Sequence, residues 1–341
     1  MELERLIKKF KDIHILVVGD LILDEYIWTD AERISPEAPV PVLLAKKRSF
    51  LPGGAANVAS NLACLGAKVS LSGVVGEDKN AKILFDCLGK RRVNLEAIFS
   101  DSGRCTTLKT RLIAEHQQVA RLDWESREPI DEGLNRKIFN YVKKNIANID
   151  AIIVEDYGKG VINPSLLSKI IPLANRYKKI VTVDPKEDHF LYYQKVTCIT
   201  PNRKELENAI RNLKFRDKSQ SFRFYNDRLC SDKDIIKAAK EIIRYLNLKS
   251  LLVTLGKDGM FLFEKDKSFK HIPTLALEVY DVSGAGDTVI AVFTLGLACN
   301  LSFYEASRLA NLAAGIVVGK FGTATVSVEE LLERKILLEK F

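Results

Sequence analysis

Short apolar runs alternate along the chain with longer segments of helical periodicity. The runs at residues 13–20 (IHILVVGD), 151–158 (AIIVEDYG) and 179–186 (KIVTVDPK) are nearly continuous in apolar residues. Between such runs lie segments such as 80–91 (NAKILFDCLGKR) and 235–247 (IIKAAKEIIRYLN), which are long enough for helices. Strands buried on both faces have continuous apolar runs, and crossover helices connect parallel strands. The pattern predicts an α/β fold with a mostly parallel central sheet flanked by helices.

Three segments depart from this rhythm. Residues 26–51 are rich in proline and partly alternating, and residues 105–123 alternate apolar and polar positions, as half-exposed antiparallel strands do. They predict a small β lid over one edge of the sheet, with the whole chain, 1–341, forming a single domain. Residues 211–233 are charged and poor in aliphatic side chains, so they predict a surface insertion.

Composition excludes several classes of protein. The apolar run at 288–299 is too short to span a bilayer, and the N-terminal residues have no apolar core of a signal peptide. We therefore expect a cytoplasmic protein without a membrane partner. The six cysteines and four histidines are scattered without the spacing of a zinc site.

The net charge of +8 adds little information about partners. The 52 basic side chains are spread along the chain, and no motif that reads DNA or RNA is present. A solvated basic surface is the simplest interpretation, and an anionic substrate is the functional alternative. No nucleic-acid partner is predicted.

The octapeptide DVSGAGDT at 281–288 precedes the long apolar run. Gly284 and Gly286 would let backbone N–H groups converge on one point ahead of a helix, where the helix dipole favours an anion. Asp287 beside a bound anion is costly unless the carboxylate accepts a proton from a hydroxyl that attacks a phosphoryl group. An ordinary helix N-cap, formed by Ser283 or Asp287, explains the same residues without function.

Two further segments carry candidate chemistry. Gly53 and Gly54 permit close approach of a ligand, and the Asn57 amide could bind sugar hydroxyls, although a glycine-rich helix start is the simpler explanation. Asn202 and Glu205 could hold phosphates and hydrated Mg²⁺, or could form only a capping box. GxGxxG after the first strand and GxxxxGK[ST] are both absent, which disfavours a Rossmann dehydrogenase and excludes a P-loop.

Taken in chain order, these motifs resemble the signatures of the ribokinase-like (PfkB) family of carbohydrate kinases. GGAANVA at 53–59, TPNRKE at 200–205 and DVSGAGDT at 281–288 carry the resemblance, which covers nearly the whole chain. It implies a ribokinase-like fold, ATP and Mg²⁺ as cofactors, K⁺ in some members, and a homodimer formed through the lid.

The resemblance also implies roles for individual residues. Asp287 matches the catalytic base, with an anion hole at Gly284, Ala285 and Gly286. The positions that match the acceptor-sugar site are Asp24, Gly53, Gly54 and Asn57. The positions that match the nucleotide and Mg²⁺ region are Asn202, Arg203, Lys204, Glu205, Gly256, Gly259 and Asn311, with Glu205 reaching Mg²⁺ through water. Asp281 matches a monovalent-cation position.

Other segments resemble one group within the family, the kinases that phosphorylate D-glycero-D-manno-heptose 7-phosphate at O1 for ADP-heptose and lipopolysaccharide core synthesis. RISPEAPVPV, KTRLIAEHQQVARLD and GKFGTATVS carry this closer resemblance. It implies a phosphosugar substrate, and Arg111 and Lys186 are candidates for its 7-phosphate because that charge needs a cationic partner. Surface positions are the alternative for both residues.

Functions other than a heptose kinase fit the same motifs. Another sugar kinase of the family, acting on ribose, fructose or a keto-deoxy sugar acid, is one alternative, and a non-catalytic sugar- or nucleotide-binding regulator is another. Some heptose kinases are fused to a nucleotidyltransferase with an HxGH motif, which none of the four histidines forms, so a stand-alone kinase is expected. Glu155 departs from the small polar residue of the heptose kinases and adds charge near the acceptor site.

Overall fold

The computed structural model describes residues 3–115, 117–217, 221–224, 226, 228–265, 267 and 269–339. His116, which contributes to the HQQ resemblance, and residues 218–220, 225 and 227 of the 211–233 segment lie outside the described residues. The helices are α1 Leu3–Phe10, α2 Ala55–Cys64, α3 Lys79–Gly89, α4 Glu132–Asn145, α5 Pro164–Arg176, α6 Arg203–Arg216, α7 Asp232–Leu246, α8 Ala285–Ala298, α9 Phe303–Val317, α10 Val328–Glu333 and α11 Ile336–Glu339. The strands are β1 His14–Gly19, β2 Leu21–Ile34, β3 Pro41–Gly54, β4 Lys68–Gly76, β5 Asn94–Asp101, β6 Thr107–Ala114, β7 Gln117–Trp124, β8 Ala151–Glu155, β9 Ile180–Asp184, β10 Cys198–Ile199, β11 Ser250–Thr254, β12 Met260–Glu264 and β13 Lys270–Ile272.

The central sheet is mostly parallel, as the alternation of apolar runs predicts. Nine strands lie in the order β13-β12-β11-β10-β9-β8-β1-β4-β5 among the described residues. Among the described strands of this sheet, only the pairings β11–β12 and β12–β13 are antiparallel. The central strands β1, β8 and β9 are buried along nearly their whole length because helices cover both faces.

Two apolar clusters form the core, one on each face of the sheet. Helices α2, α8 and α9 contribute to one cluster, and α4, α5, α6 and α7 contribute to the other. The helix α8 is apolar on every side and is buried along most of its length, so it packs as a central element rather than a surface one. This burial holds its first turn in a fixed position.

A second sheet forms the β lid. Its strand order is β3-β2-β6-β7, and the predicted lid segments fall on these strands. The strands β2 and β3 extend inward as far as Leu21 and Gly54, which are paired in register. The lid strands therefore lead directly to the carboxyl edge of the central sheet. The assignment of the whole chain to one domain stays a prediction.

The 211–233 segment differs from the surface insertion that its composition predicts. The helix α6 continues to Arg216, and Phe222, Phe224 and Leu229 are buried in the core cluster that includes α6 and α7. Three apolar side chains among many charged ones are enough to anchor the described part of the segment. Separately, none of the helices in the described ranges combines the length and the apolar character that a bilayer crossing requires.

Candidate active site

Asp287 lies in the first turn of α8 and is buried. The N-cap position is Gly284, whose φ of 75° lies in the left-handed region that favours glycine, and no side chain caps the helix there. The ordinary N-cap interpretation of Ser283 or Asp287 is therefore wrong for this helix. The Asp287 carboxylate instead accepts one hydrogen bond from Asn57 Nδ2 at 2.7 Å and one from Tyr157 Oη at 2.8 Å.

The environment of Asp287 makes it a stronger base than an ordinary aspartate. Burial raises the pKa of Asp287 to about 6, and the negative charge of Asp24 acts in the same direction. The hydrogen bonds from Asn57 and Tyr157 and the charge of Lys109 oppose this rise. A carboxylate with a pKa near neutrality is both largely ionised and able to accept a proton under physiological conditions.

Tyr157 lies in none of the sequence motifs described above, and its loop is positioned by Asp20. The Asp20 carboxylate accepts hydrogen bonds from the backbone N–H groups of Tyr157, Lys159 and Val161, at 2.8, 3.0 and 3.2 Å. Asp20 follows β1 and Tyr157 follows β8, and these strands are neighbours in the parallel sheet. Burial, followed by the negative charge of Asp156, raises the pKa of Asp20 to about 6.

A small cavity of about 90 Å³ lies on the lid side of Asp287. Its lining includes the predicted acceptor residues Asp24 and Gly54 and the predicted phosphate partner Arg111, which forms an ion pair with Asp24 at 2.5 Å. Gly53 lies next to this cavity, since a Cβ at that position would collide with the Asp24 carboxylate. The sequence-predicted acceptor residues are thus brought together beside Asp287.

Lys109 is a second lid cation in this cavity, and the sequence analysis did not single it out. It lies two residues before Arg111 on β6, so both side chains point to the same face of the lid sheet. Lys109 has no ion pair with any residue in the described ranges, and its ammonium lies 5.1 Å from the centre of the Tyr157 ring. Burial lowers the pKa of Lys109. An unpaired cation in a partly buried cavity is suited to an anionic ligand.

A second cavity, of about 420 Å³, lies on the opposite side of the α8 N-terminus. The predicted nucleotide residues Gly256, Gly259 and Asn311 line it together with Ala285 and Gly286. The rest of its lining is mostly aliphatic, as suits the flat ring of a nucleotide base. The turn from Gly284 to Asp287 therefore lies between the two cavities.

The predicted NxxE pair forms a complete capping box. Asn202 Oδ1 accepts from the Glu205 N–H and Glu205 Oε2 accepts from the Asn202 N–H, both at 2.9 Å. The capping interpretation is therefore confirmed. Glu205 also lies close to Asp184: burial raises the pKa of Asp184 most, and the negative charge of Glu205 raises it further. The capping box is thus compatible with the predicted position of Asn202 and Glu205 beside the phosphates of a bound nucleotide.

Other predicted residues are engaged elsewhere. Arg203 donates to the Leu229 carbonyl oxygen, and Lys204 is exposed. Lys186 lines a separate cavity and pairs with Glu187 at 2.8 Å, away from Asp24 and Arg111. Asp281 accepts from the N–H groups of Ser283 and Gly322 at 2.9 Å each. The roles predicted for these residues stay predictions.

The residues near the α8 N-terminus fit a divalent cation. Carboxylate oxygens of Glu155, Asp184 and Asp287 lie within 4.8 Å of one another, and neither oxygen of Glu155 has an N–H or hydroxyl donor among the described residues. Mg²⁺ prefers such hard oxygen ligands. Glu205 and Asp184 would hold Mg²⁺ that arrives with a nucleotide.

Known proteins resemble this chain along most of its length. The model of the pfkB family carbohydrate kinases matches residues 12–331. The chain is 44% identical over 329 residues to the bifunctional protein HldE of Geobacter metallireducens, covering 96% of this chain and 64% of that protein. It is 45% identical over 317 residues to the same-named protein of Helicobacter pylori strain HPAG1, covering 93% and 65%. The chain thus spans less than two thirds of the length of these relatives.

Solved structures share the fold at low sequence identity. The ribokinase of Arabidopsis thaliana, complexed with ribose and ATP, aligns with a TM-score of 0.72 at 20% identity, covering 96% of this chain and 99% of that one. Phosphofructokinase-2 of Escherichia coli, in complex with substrates and products, aligns with a TM-score of 0.76 at 20% identity, covering 96% and 100%. The ribokinase-like fold is therefore confirmed, and the chain belongs to the pfkB family of carbohydrate kinases.

Proposed function

We propose that this protein is an ATP-dependent sugar kinase that transfers the γ-phosphoryl group of ATP to O1 of D-glycero-D-manno-heptose 7-phosphate. The product would be the 1,7-bisphosphate for ADP-heptose and lipopolysaccharide core synthesis, made in the cytoplasm. One observation carries the proposal: Asp287, buried and with its pKa raised to about 6, lies at a helix N-terminus between two cavities. The family, the HldE relatives and the heptose-kinase segments support the choice of reaction and sugar.

In the proposed mechanism Asp287 removes the proton of the attacking hydroxyl. Asn57 and Tyr157 hold the carboxylate in place during this step. The N–H groups of residues 284–286, at the start of the 14-residue helix α8, stabilise negative charge on the transferred phosphoryl group. Bound Mg²⁺ supplies charge neutralisation at the phosphates.

A phosphorylated acceptor is supported by the lid cations. Arg111 is already neutralised by Asp24, whereas Lys109 has no such partner in the described ranges and faces the same cavity. The cavity of about 90 Å³ is smaller than the ~300 Å³ of typical small-molecule sites. The lid would therefore open to admit the phosphosugar and close over it, which excludes water as a competing acceptor.

The lid also supports the homodimer that the family resemblance implies. The strand β7 is exposed along its whole length, and its apolar side chains Val119, Leu122 and Trp124 face solvent. Exposed apolar patches of this kind mark interaction surfaces. Escherichia coli phosphofructokinase-2, which shares the fold, has been solved as a tetrameric inhibited form.

The test is sugar-dependent ADP release with Mg²⁺-ATP. D-glycero-D-manno-heptose 7-phosphate, ribose, fructose and fructose 6-phosphate are assayed side by side, with Asp287→Asn as the inactive control. Turnover with the heptose phosphate alone supports the whole proposal. Turnover with a different sugar keeps the kinase and overturns the heptose assignment, and ATP binding without turnover on any sugar favours a regulator.

A further inference from the structure

Glu155 is a buried carboxylate at the carboxyl edge of the central sheet. It is the last residue of β8 and pairs in register with Gly19 of β1 and Asp184 of β9. Its side chain has an exposed fraction of 0%. Neighbours paired in parallel register point to the same face of a sheet, which places Glu155 and Asp184 side by side.

The surroundings of Glu155 offer no compensation for its charge. Neither carboxylate oxygen has an N–H or hydroxyl donor among the described residues, and the side-chain hydrogen bond of Glu155 is to another carboxyl group, that of Asp184. Burial raises the pKa of Glu155 well above its usual range, and the neighbouring charges that add to this rise belong to carboxylates, Asp184 first and then Asp287. A buried carboxyl group without donors is costly unless a cation or a proton neutralises it.

The neighbouring carboxylates retain free coordination capacity. Asp184 uses Oδ1 to accept a 2.8 Å hydrogen bond from Thr200 and is also hydrogen-bonded to the Glu155 carboxyl group, which leaves lone pairs on its oxygens. Each oxygen of Asp287 accepts one hydrogen bond, which leaves a second lone pair on each. The cluster therefore has unused oxygen ligands on three side chains.

The spacing of these oxygens fits one ion. One ligand oxygen from each of Glu155, Asp184 and Asp287 lies within 4.8 Å of the other two. Oxygens that bind one Mg²⁺ or similar divalent cation at about 2.0–2.6 Å are separated by at most about 5 Å. A set made only of carboxylates selects hard divalent cations such as Mg²⁺ and Mn²⁺.

We infer that Glu155 and Asp184, with Asp287 on the third side, bind a divalent cation in the absence of nucleotide. Unlike Mg²⁺ carried in by ATP, this ion needs no nucleotide. The two sites would share Asp184 and differ in their second carboxylate, which is Glu155 at the end of β8 in one and Glu205 in the first turn of α6 in the other. Since Asp287 also lines the acceptor cavity, the ion would lie beside the attacking hydroxyl. The inference does not require turnover, so it stands or falls separately from the proposed reaction.

The experiment uses Mn²⁺ as the probe and the full chain stripped with a chelator, without ATP or sugar. Loss of the free Mn²⁺ signal in electron paramagnetic resonance counts bound ions, and thermal unfolding with and without Mn²⁺ gives a second readout. We expect one Mn²⁺ per chain and a rise in Tm with Mn²⁺. Glu155→Gln, which keeps the shape and removes the charge, should weaken Mn²⁺ binding by about tenfold or more and abolish the rise in Tm.

Glu132→Gln is the matched control. It removes an exposed carboxylate at the start of α4, where Glu132 forms an ion pair with Lys169, and should leave nucleotide-free Mn²⁺ binding unchanged. The inference is overturned if the wild-type chain binds no Mn²⁺ without nucleotide, or if Glu155→Gln binds Mn²⁺ as tightly as the wild type. A Glu155→Gln chain that is more stable than the wild type while neither binds Mn²⁺ would show that protons, not an ion, neutralise the cluster.

Discussion

The hydroxyl of Tyr157 donates a hydrogen bond to Oδ1 of Asp287 across 2.8 Å. This contact joins the loop after β8 to the first turn of α8, two segments separated by 130 residues in the chain. The hydrogen bond favours the ionised carboxylate and so opposes the burial that raises the Asp287 pKa. Tyr157 therefore adjusts how strong a base Asp287 is, in addition to fixing its orientation.

Tyr157→Phe should raise the Asp287 pKa and lower activity most at acidic pH. Turnover requires the ionised carboxylate, so the acid limb of kcat falls as pH drops through the Asp287 pKa. Removing a hydrogen bond to a charged group, worth roughly 1.5–3 kcal/mol, should move that limb upward by about one to two pH units. Bound Mg²⁺ acts on both proteins alike, so the difference between their pH profiles is the quantity to measure.

Tyr177→Phe is the control for this experiment, because Tyr177 is exposed at the end of α5. Its pH profile should match that of the wild type. An acid limb of Tyr157→Phe that coincides with the wild-type limb would show that the tyrosine hydroxyl has no influence on the base.

Asp287→Asn should abolish most turnover while ATP still binds. The amide has a shape close to that of the carboxylate but cannot accept the proton, and general-base catalysis contributes roughly 10²–10⁴-fold to a rate. We expect kcat to fall by a factor in that range. The Kd for ATP, measured by calorimetry, should change little because the nucleotide cavity is lined by Ala285 and Gly286 rather than by Asp287. Turnover near the wild-type level would remove Asp287 as the base.

Lys109→Met should weaken binding of a phosphorylated acceptor specifically. Methionine keeps much of the apolar length of lysine and removes the charge, so the loss reports on the ammonium. We expect KM for D-glycero-D-manno-heptose 7-phosphate to rise about tenfold or more, corresponding to a charge-assisted hydrogen bond of roughly 1.5–3 kcal/mol. Lys109→Arg should recover part of the loss.

Lys46→Met provides the matched control on the lid, since Lys46 forms an exposed ion pair with Asp30. Its KM should remain at the wild-type value. If Lys109→Met instead lowers kcat and leaves KM unchanged, Lys109 acts on the transferred phosphoryl group rather than on the acceptor.

Much of the fold could be predicted from local sequence. The strands β1, β8 and β9 are buried on both faces, so their apolar runs are continuous and visible without knowledge of their neighbours. The glycine turn before α8 and the pair Gly53-Gly54 before α2 could also be predicted, because each motif is contiguous in sequence and the backbone conformation it requires is local.

The rest of the candidate site depends on which strands are neighbours. Glu155, Asp184 and Asp20 lie near one another because β9, β8 and β1 are adjacent strands, and no local sequence pattern predicts this strand order. The lid cations show a second limit. Arg111 and Lys109 lie on the same face of one strand, yet only Arg111 forms an ion pair with Asp24. The sequence alone cannot show which of the two cations is neutralised. Lys186, chosen because a 7-phosphate needs a cationic partner, lies in a different cavity beside Glu187.

Asp20→Asn should lower activity through Tyr157 rather than through any direct contact with substrate. The Asp20 carboxylate accepts three backbone N–H groups of the loop that carries Tyr157, and an amide offers only one acceptor oxygen to them. The loop should loosen, and the Tyr157 hydroxyl should lose its place at Asp287. The measurement is a double-mutant cycle on kcat with Asp20→Asn and Tyr157→Phe, with Tm recorded for each protein. If Asp20 acts by positioning Tyr157, the double variant should be no slower than the slower single variant, whereas additive losses would assign Asp20 a separate role.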